Sequence, residues 1–375
     1  MVNVLYLLNF AGKAGTERYV STLVEKLNNN KIRAFLAYNE EGLLVDKLKT
    51  LGIETYRIVM RNRFDVRAAI ELARLCNGLN IDIIHAQFLR ENYIAMISRI
   101  FNPKVKVVYT NHFILKNDMI TRFTNKLLTP LQAGIIAVCN RGREMMISNG
   151  INGSKIKVLF NAVDPKYWGT PEKSTLRSEF GIGGDVFVLL CASRFAYDKG
   201  HRYLMKSIAR LKEITDRKFI CFLAGDGPFL EEIKAFTVEL GLGNEIIFLG
   251  FRSDIKNLYN GSDLYVNSSE HEASSFLIIE ALASGLPVIA TDMGGNSDII
   301  NDRNGCGMLV RYNDEEEMAS AIKRVMDNGE LRNTMKQNAL KTVEEKFNLA
   351  KMANETYNLY KEYTGRKQKE NVNDY

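Results

Sequence analysis

This chain of 375 residues has few of the features that mark secreted, metal-stapled or membrane-spanning proteins. Its five cysteines (Cys76, Cys139, Cys191, Cys221 and Cys306) are scattered with no paired spacing, which argues against a disulfide framework or a zinc site and points to a reducing cytosol. No apolar run approaches the roughly 20 residues that a bilayer-spanning helix needs. The opening Met1-Val2-Asn3-Val4-Leu5-Tyr6-Leu7-Leu8 lacks a basic leader and a cleavage site, so a first strand is expected there rather than a signal peptide. Glycines never form G-x-G-x-x-G, so a nicotinamide or flavin fingerprint is missing. There is no Asp-x-Asp pair to bring a divalent cation, no low-complexity stretch, no short-period repeat and no nucleic-acid-binding motif.

What is present is an ordinary globular composition, 46% hydrophobic and 25% charged, long enough for two domains with a core each. The net charge of +6 is unevenly spread. Residues 1–168 hold 24 lysines and arginines against 13 acids, a balance of +11, whereas residues 169–375 hold 26 against 31, a balance of −5. The basic half suits an anionic partner, or is simply a solvated basic surface.

Short apolar or β-branched runs recur through the first half: Val4–Leu8, Arg33–Ala37, Thr55–Val59, Ile81–Ala86, Lys106–Thr110 and Ile135–Val138. Helical patterns lie between them, at Arg18–Leu27, Val66–Leu79, Tyr93–Ile100 and Arg141–Asn149. The stretch Phe160–Pro171, with two prolines and a glycine, reads as a linker. Strand patterns then restart at Val186–Cys191, Phe219–Ala224, Ile246–Leu249, Leu264–Asn267, Pro287–Ala290 and Gly307–Val310. Residues 315–347 read as closing helices, opened by the acidic Asp314-Glu315-Glu316-Glu317. Such alternation predicts two α/β domains with parallel sheets, whose ligands bind at the carboxyl ends of strands.

The loops after strands therefore carry the candidates. Asn9–Arg18 is a glycine-containing turn into a helix; His85 and His112 each close a strand pattern, and His112 is favoured for function. In the second half, Cys191–Gly200 sets Arg194 and Lys199 five residues apart before a helix, as a diphosphate clamp would. The glycines of Ala224–Pro228 and Gly250-Phe251-Arg252 permit close backbone approach. Glu270–Thr291 reads as a loop, a short apolar helix capped by Ser274 or Ser275 and ended by Gly285, and a buried strand. One carboxylate, Glu280, sits inside that apolar helix, and Glu272 lies just upstream, where free helix amides favour an anion.

Asn161-Ala162-Val163-Asp164, Ser193-Arg194 with Lys199-Gly200-His201, Ala224–Pro228, Gly250-Phe251, the Glu272…Glu280 pair and Ala283–Thr291 follow one another in this order. Together they resemble the retaining glycosyltransferases of family 4, and Gly15-Thr16-Glu17-Arg18 and the His112 strand end resemble the same family. The resemblance covers almost the whole chain. Two departures stand out: Ala273-Ser274-Ser275 where many relatives have Gly-Phe-Gly, and Ala14 where a glycine is common.

The resemblance implies a GT-B fold, with two Rossmann-like α/β domains, their parallel sheets facing across a cleft, and a last helix, here Leu349–Tyr363, crossing back to the first domain. The expected division is residues 1–165 on the acceptor side, 166–347 for the donor, 348–364 as the crossover helix and 365–375 as a disordered tail. Arg194 and Lys199 then match the residues that hold the donor pyrophosphate, Glu280 the acid on the ribose hydroxyls and Glu272 the acid near the transferred sugar. Ser193, Gly225 and Gly15 line the same site by this likeness. The amides of Ser274, Ser275, Phe276 and Leu277 would meet the β-phosphate and the sugar, and the backbone around Arg252 the base. The catalytic set is Glu272, His112, Arg194 and Lys199, with His112 shaping the acceptor side.

The expected reaction moves a hexose or N-acetylhexosamine from a nucleotide diphosphate sugar, with UDP favoured, to a sugar or lipid-linked acceptor in cell-surface polysaccharide or glycolipid synthesis. Retention of configuration, no metal and no cofactor are expected. The other readings are an epimerase or hydrolase on the same fold, or a non-catalytic sugar-nucleotide-binding subunit. Nucleic acid is not expected as a partner. The cytoplasm is the expected location, peripheral to the inner face of the cell membrane. Arg57, Arg61, Arg63, Arg67 and Arg74, interleaved with Phe64 and Ile70, form a candidate surface for anionic lipid, and a solvated helix face is the plainer reading.

Overall fold

A computed structural model describes residues 1–12, 14–29 and 31–365, so Lys13, Asn30 and the tail beyond Gly365 lie outside the described residues. The chain divides into two units, Met1–Phe160 with Ala350 onward, and Asn161–Leu349. The sequence expectation had set these boundaries at residues 165 and 347.

In the first unit strands and helices alternate as β1 (Val2–Phe10), α1 (Gly15–Leu27), β2 (Ile32–Glu40), α2 (Leu43–Thr50), β3 (Glu54–Arg57), α3 (Val66–Gly78) and β4 (Ile83–Ala86). They continue as α4 (Leu89–Ser98), β5 (Lys106–Asn111), α5 (Met119–Leu128), β6 (Gly134–Ala137), α6 (Asn140–Ser148) and β7 (Ile156–Val158). Each sheet neighbour is parallel, in the order β3-β2-β1-β4-β5-β6-β7. Helices cover a parallel sheet on both faces, which is why its central strands are largely apolar: Val4 to Leu8 and Ile83 to Ala86 are all fully buried, with His85 the polar exception in β4.

The second unit runs α7 (Pro165–Gly169), α8 (Leu176–Glu179), β8 (Phe187–Ala192), α9 (His201–Ile214), β9 (Phe219–Ala224), α10 (Leu230–Glu239) and β10 (Ile246–Gly250). It then runs α11 (Ile255–Gly261), β11 (Leu264–Asn267), α12 (Phe276–Ala283), β12 (Val288–Thr291), α13 (Asn296–Ile299), β13 (Gly307–Val310), α14 (Glu315–Asp327) and α15 (Gly329–Lys346). Its six parallel strands are ordered β10-β9-β8-β11-β12-β13. Strand order reverses between β8 and β11 here, and between β1 and β4 in the first unit, which are the switch points where such sheets take ligands.

Two expectations change. The stretch Phe160–Pro171 is no loose linker: Asp164 caps α7 by accepting from the amides of Lys166 (3.0 Å) and Tyr167 (3.4 Å), and Val163 pairs with Asn348. An aspartate followed by proline is a helix start, with proline at the first helical position, and the composition alone made it look like a break. His85 does not close its strand either. It lies inside β4, fully buried, with Nε2 2.6 Å from Thr110 Oγ1 and Nδ1 2.6 Å from the hydroxyl of Tyr360. Tyr360 belongs to the last helix, α16 (Leu349–Thr364), which returns to the first unit, where Tyr363 also packs over Gly134.

Candidate active site

The site in the second unit begins with three loops that extend the ladder beyond β8, β9 and β10. Ser193 donates its amide to Ala224 (3.0 Å), Phe195 to Asp226 (2.9 Å) and Gly225 to Gly250 (2.7 Å). Gly225 is held at φ +145°, and a β-carbon there would lie 1.9 Å from the Ser193 carbonyl oxygen. The sequence had suggested that this glycine makes room for a ligand; its Cα faces the neighbouring loop instead. His201 is the first residue of α9. Its ring stacks on Phe195 at 4.2 Å, and its Nε2 is 3.1 Å from Ser193 Oγ.

Across the switch point the loop after β8 is stitched to the loop after β11. Glu270 donates its amide to Asp198 (2.9 Å) and Ser268 its hydroxyl to the Lys199 carbonyl (2.9 Å). The left-handed Gly200 (φ +64°) lets the two backbones approach to where a β-carbon would strike Ser268. The side chains meet here too. Lys199 Nζ lies 2.9 Å from Glu272 Oε1, which also accepts from Ser269 Oγ at 3.0 Å. The two side chains are 18% and 14% exposed, so water screens this ion pair far less than the surface pairs elsewhere. Arg194, five residues upstream, is exposed, and among the described residues no carboxylate pairs with it. A shielded cation and an open cation therefore stand at one strand end, and the shielded one is turned toward an acid.

A third loop, after β12, fixes the backbone of Glu272. Gly295 donates its amide to the Glu272 carbonyl (2.9 Å), and a β-carbon on Gly294, at φ +58°, would come within 1.6 Å of that same oxygen. Asn296, fully buried, ties the loop down by donating to Thr291 O (3.0 Å). The sequence motifs do not reach these residues, although the Gly294-Gly295 pair two residues after the buried strand β12 is the available signal. Asn161 opens the Asn161-Ala162-Val163-Asp164 motif. In the structure its Nδ2 donates to Ser274 O at 2.8 Å and sets the turn into α12.

Ser275 is the N-cap of α12, but its hydroxyl makes no capping bond, and Gly285 follows the helix at φ +72°. Glu280 is 1% exposed within that helix, and Phe276 and Ser275 are buried beside its start. A helix that begins without a side-chain cap presents its positive end to whatever occupies the adjoining space. Arg252 stands apart. Its guanidinium is bound by Glu179 (2.7 Å) and Asp254 (2.7 Å), which hold it protonated, so only its backbone is available to a ligand.

Gly15 and His112 belong to the first unit. Gly15 opens α1 behind Ala14, and Glu17 in its first turn is buried, which pushes its carboxyl above the ordinary value. His112 follows β5, edge-on to Tyr19 at 4.9 Å. Gln87 donates through Nε2 to the His85 carbonyl, leaving Oε1 to accept from His112 Nε2 at 3.0 Å. Burial pushes the His112 imidazole down to about 3. Near neutral pH it is thus an uncharged ring with its proton on Nε2 and Nδ1 left as an acceptor. Among the described residues no group of three or more His, Cys, Asp or Glu is placed to hold a metal ion, and all five cysteines are buried with no disulfide among them.

Two parallel Rossmann-like sheets, with cations, an acid and an uncapped helix start gathered at the switch point of the second, define a GT-B enzyme of the nucleotide-sugar-using class. Family models agree: residues 14–167 match "Glycosyltransferase Family 4" and residues 172–342 match "Glycosyl transferases group 1". The chain belongs to glycosyltransferase family 4.

Among its relatives is the N-acetylgalactosamine-N,N'-diacetylbacillosaminyl-diphospho-undecaprenol 4-alpha-N-acetylgalactosaminyltransferase of Campylobacter jejuni, 29% identical over 76% of this chain and 78% of that one. Another is the UDP-Gal:alpha-D-GlcNAc-diphosphoundecaprenol alpha-1,3-galactosyltransferase of Escherichia coli, 25% identical over 92% of this chain and 93% of that one. Among solved structures, Anabaena HepE in complex with UDP superposes with a TM-score of 0.85 at 22% identity, covering 95% of this chain and 99% of that one.

Proposed function

We propose that this glycosyltransferase moves a hexose or N-acetylhexosamine from a UDP-sugar to a sugar or lipid-linked acceptor, with retention of configuration and without a metal. The observation that carries the reading is the Lys199–Glu272 pair, 2.9 Å apart across the β8/β11 switch point, with Arg194 exposed alongside. Departure of a nucleoside diphosphate builds negative charge on its oxygens. Arg194 forks onto them, Lys199 supplies a point charge, and the amides at the start of α12 (Ser274, Ser275, Phe276 and Leu277) add the positive end of a helix. Glu280 takes the ribose hydroxyls and Glu272 those of the transferred sugar.

Retention then proceeds by front-face attack. A double displacement needs a carboxylate free to attack the anomeric carbon. Glu272 is held instead by Lys199 and Ser269 as a hydrogen-bond acceptor, which suits sugar binding. His112, neutral and with Nδ1 as an acceptor, orients an acceptor hydroxyl rather than carrying charge. The lipid-linked acceptor and the UDP donor are favoured because two relatives are named for diphospho-undecaprenol acceptors and one of them for UDP-Gal. Such an acceptor places the enzyme at the inner face of the cell membrane.

The test is transfer from UDP-sugars by wild type, Lys199→Ala and Glu272→Ala, with thermal melting as the folding control. Both variants are expected to lose transfer at near-wild-type melting temperature, and the wild-type product to keep the donor's anomeric configuration by NMR. Full transfer by both variants would sink the assignment, and donor turnover without any acceptor would favour an epimerase or hydrolase.

A further inference from the structure

Helix α5 is built inside out. Surface helices ordinarily bury their apolar stripe and show water their polar one. In α5 the two buried residues are Thr121 and Asn125. Asp118 caps the helix through Thr121 (2.8 Å to its amide), Arg63 donates to the Thr121 hydroxyl (2.6 Å), and Asn125 accepts from the Tyr93 hydroxyl (2.7 Å) while donating to Asn149 O (2.9 Å). Met119, Ile120, Phe123 and Leu127 point the other way and are 65–83% exposed. At about 100° per residue these four share an arc of roughly 100°, nearly opposite Thr121 and Asn125, with Arg122 and Lys126 along its edge. A polar anchor thus holds an apolar ridge in solvent, which marks an interaction surface.

We propose that α5 docks this chain on an anionic lipid bilayer, its apolar ridge entering the acyl boundary while Arg122 and Lys126 meet headgroup phosphates. The charge around the ridge selects this occupant. Residues 112–131 contain one acid, Asp118, which is engaged in capping, against Lys116, Arg122 and Lys126. Amphipathic helices with basic edges bind in the interface plane through buried apolar area plus attraction to anionic lipid. The segment joining α5 to the His112 strand end carries Phe113 and Leu115, both more than half exposed, so the ridge runs on toward the acceptor-side residue. The basic segment Arg57–Arg74 is a weaker candidate, because Phe64 stacks on Tyr93 at 5.5 Å and Ile70 is partly buried. Docking through α5 deepens the lipid-linked acceptor reading.

The full chain is sedimented with phosphatidylcholine vesicles, with and without phosphatidylglycerol, at low and high salt, with neither donor nor acceptor present, so failure here leaves the transfer reading standing. Wild type is expected to bind only the anionic vesicles. Phe123→Asp/Leu127→Asp should weaken that binding at least about tenfold at unchanged melting temperature, and Arg122→Glu/Lys126→Glu should remove its salt-sensitive part. Absence of wild-type binding, or equal binding by Phe123→Asp/Leu127→Asp, overturns the proposal. So does a concentration-dependent dimer that this double substitution abolishes, because the ridge would then belong to a second copy of the chain.

Discussion

Glu91 shows what a single buried charge does to this molecule. It lies in α4 with no exposed side-chain surface, and its nearest cation, Arg90 Nε, is 3.7 Å away, too far for a hydrogen bond. Burial pushes its carboxyl from 4.5 up to about 7. The folded state therefore binds the proton more tightly, so the stability linked to this group is complete below pH 4.5 and is lost as pH rises through 7. The imidazoles of the buried His85 and the part-buried His112, pushed down from 6.5 to about 3, have the opposite sign. Each contributes stability that is present above 6.5 and lost as the pH falls toward 3. Glu91→Gln removes one side of this balance. Relative to wild type, it should be nearly neutral at pH 5 and stabilising at pH 8 by on the order of 1–3 kcal/mol, read from denaturant unfolding at both pH values. A stabilisation equal at the two pH values would assign the effect to packing instead.

At the scale of elements, some helix starts are closed by a side chain, as in α15, and others, α12 beside the Lys199–Glu272 pair among them, are not. Asn328 caps α15 by accepting from the Leu331 amide at 2.9 Å, whereas Ser275 occupies the same position on α12 without such a bond. Asn328→Ala should therefore cost about 1 kcal/mol, and Ser275→Ala less than about 0.5 kcal/mol, in the same unfolding measurement. An equal cost at both positions would mean that Ser275 caps its helix after all.

The elements themselves were largely legible. Apolar runs such as Val186–Cys191 and Leu264–Asn267 gave the strands of the second sheet, because a strand buried on both faces has no polar alternation to blur it. Three-residue β7 is too short to leave such a run, and α5 was passed over because its apolar stripe is not a core stripe. In the site, Lys199 and Glu272 were legible as charges at strand ends. That they bond each other, and that Gly294 and Asn161 brace the loop, depends on backbone approaches between segments distant in sequence.

On the scale of the whole molecule, two similar sheets carry different switch points. In the first unit the helix after β1 carries the buried Glu17 in its first turn, within a half whose charge balance is +11. In the second unit the helix after β11 starts uncapped beside Lys199 and Glu272, with Arg194 open to solvent. The central claim is that this second switch point holds the donor diphosphate. Calorimetric titration of UDP into wild type, Lys199→Ala and Arg194→Ala, with melting temperatures as controls, tests it most directly. Loss of a charged hydrogen bond to phosphate predicts binding weaker by roughly 10- to 100-fold in each variant. UDP affinity unchanged by either substitution, in variants that remain folded, would contradict the account.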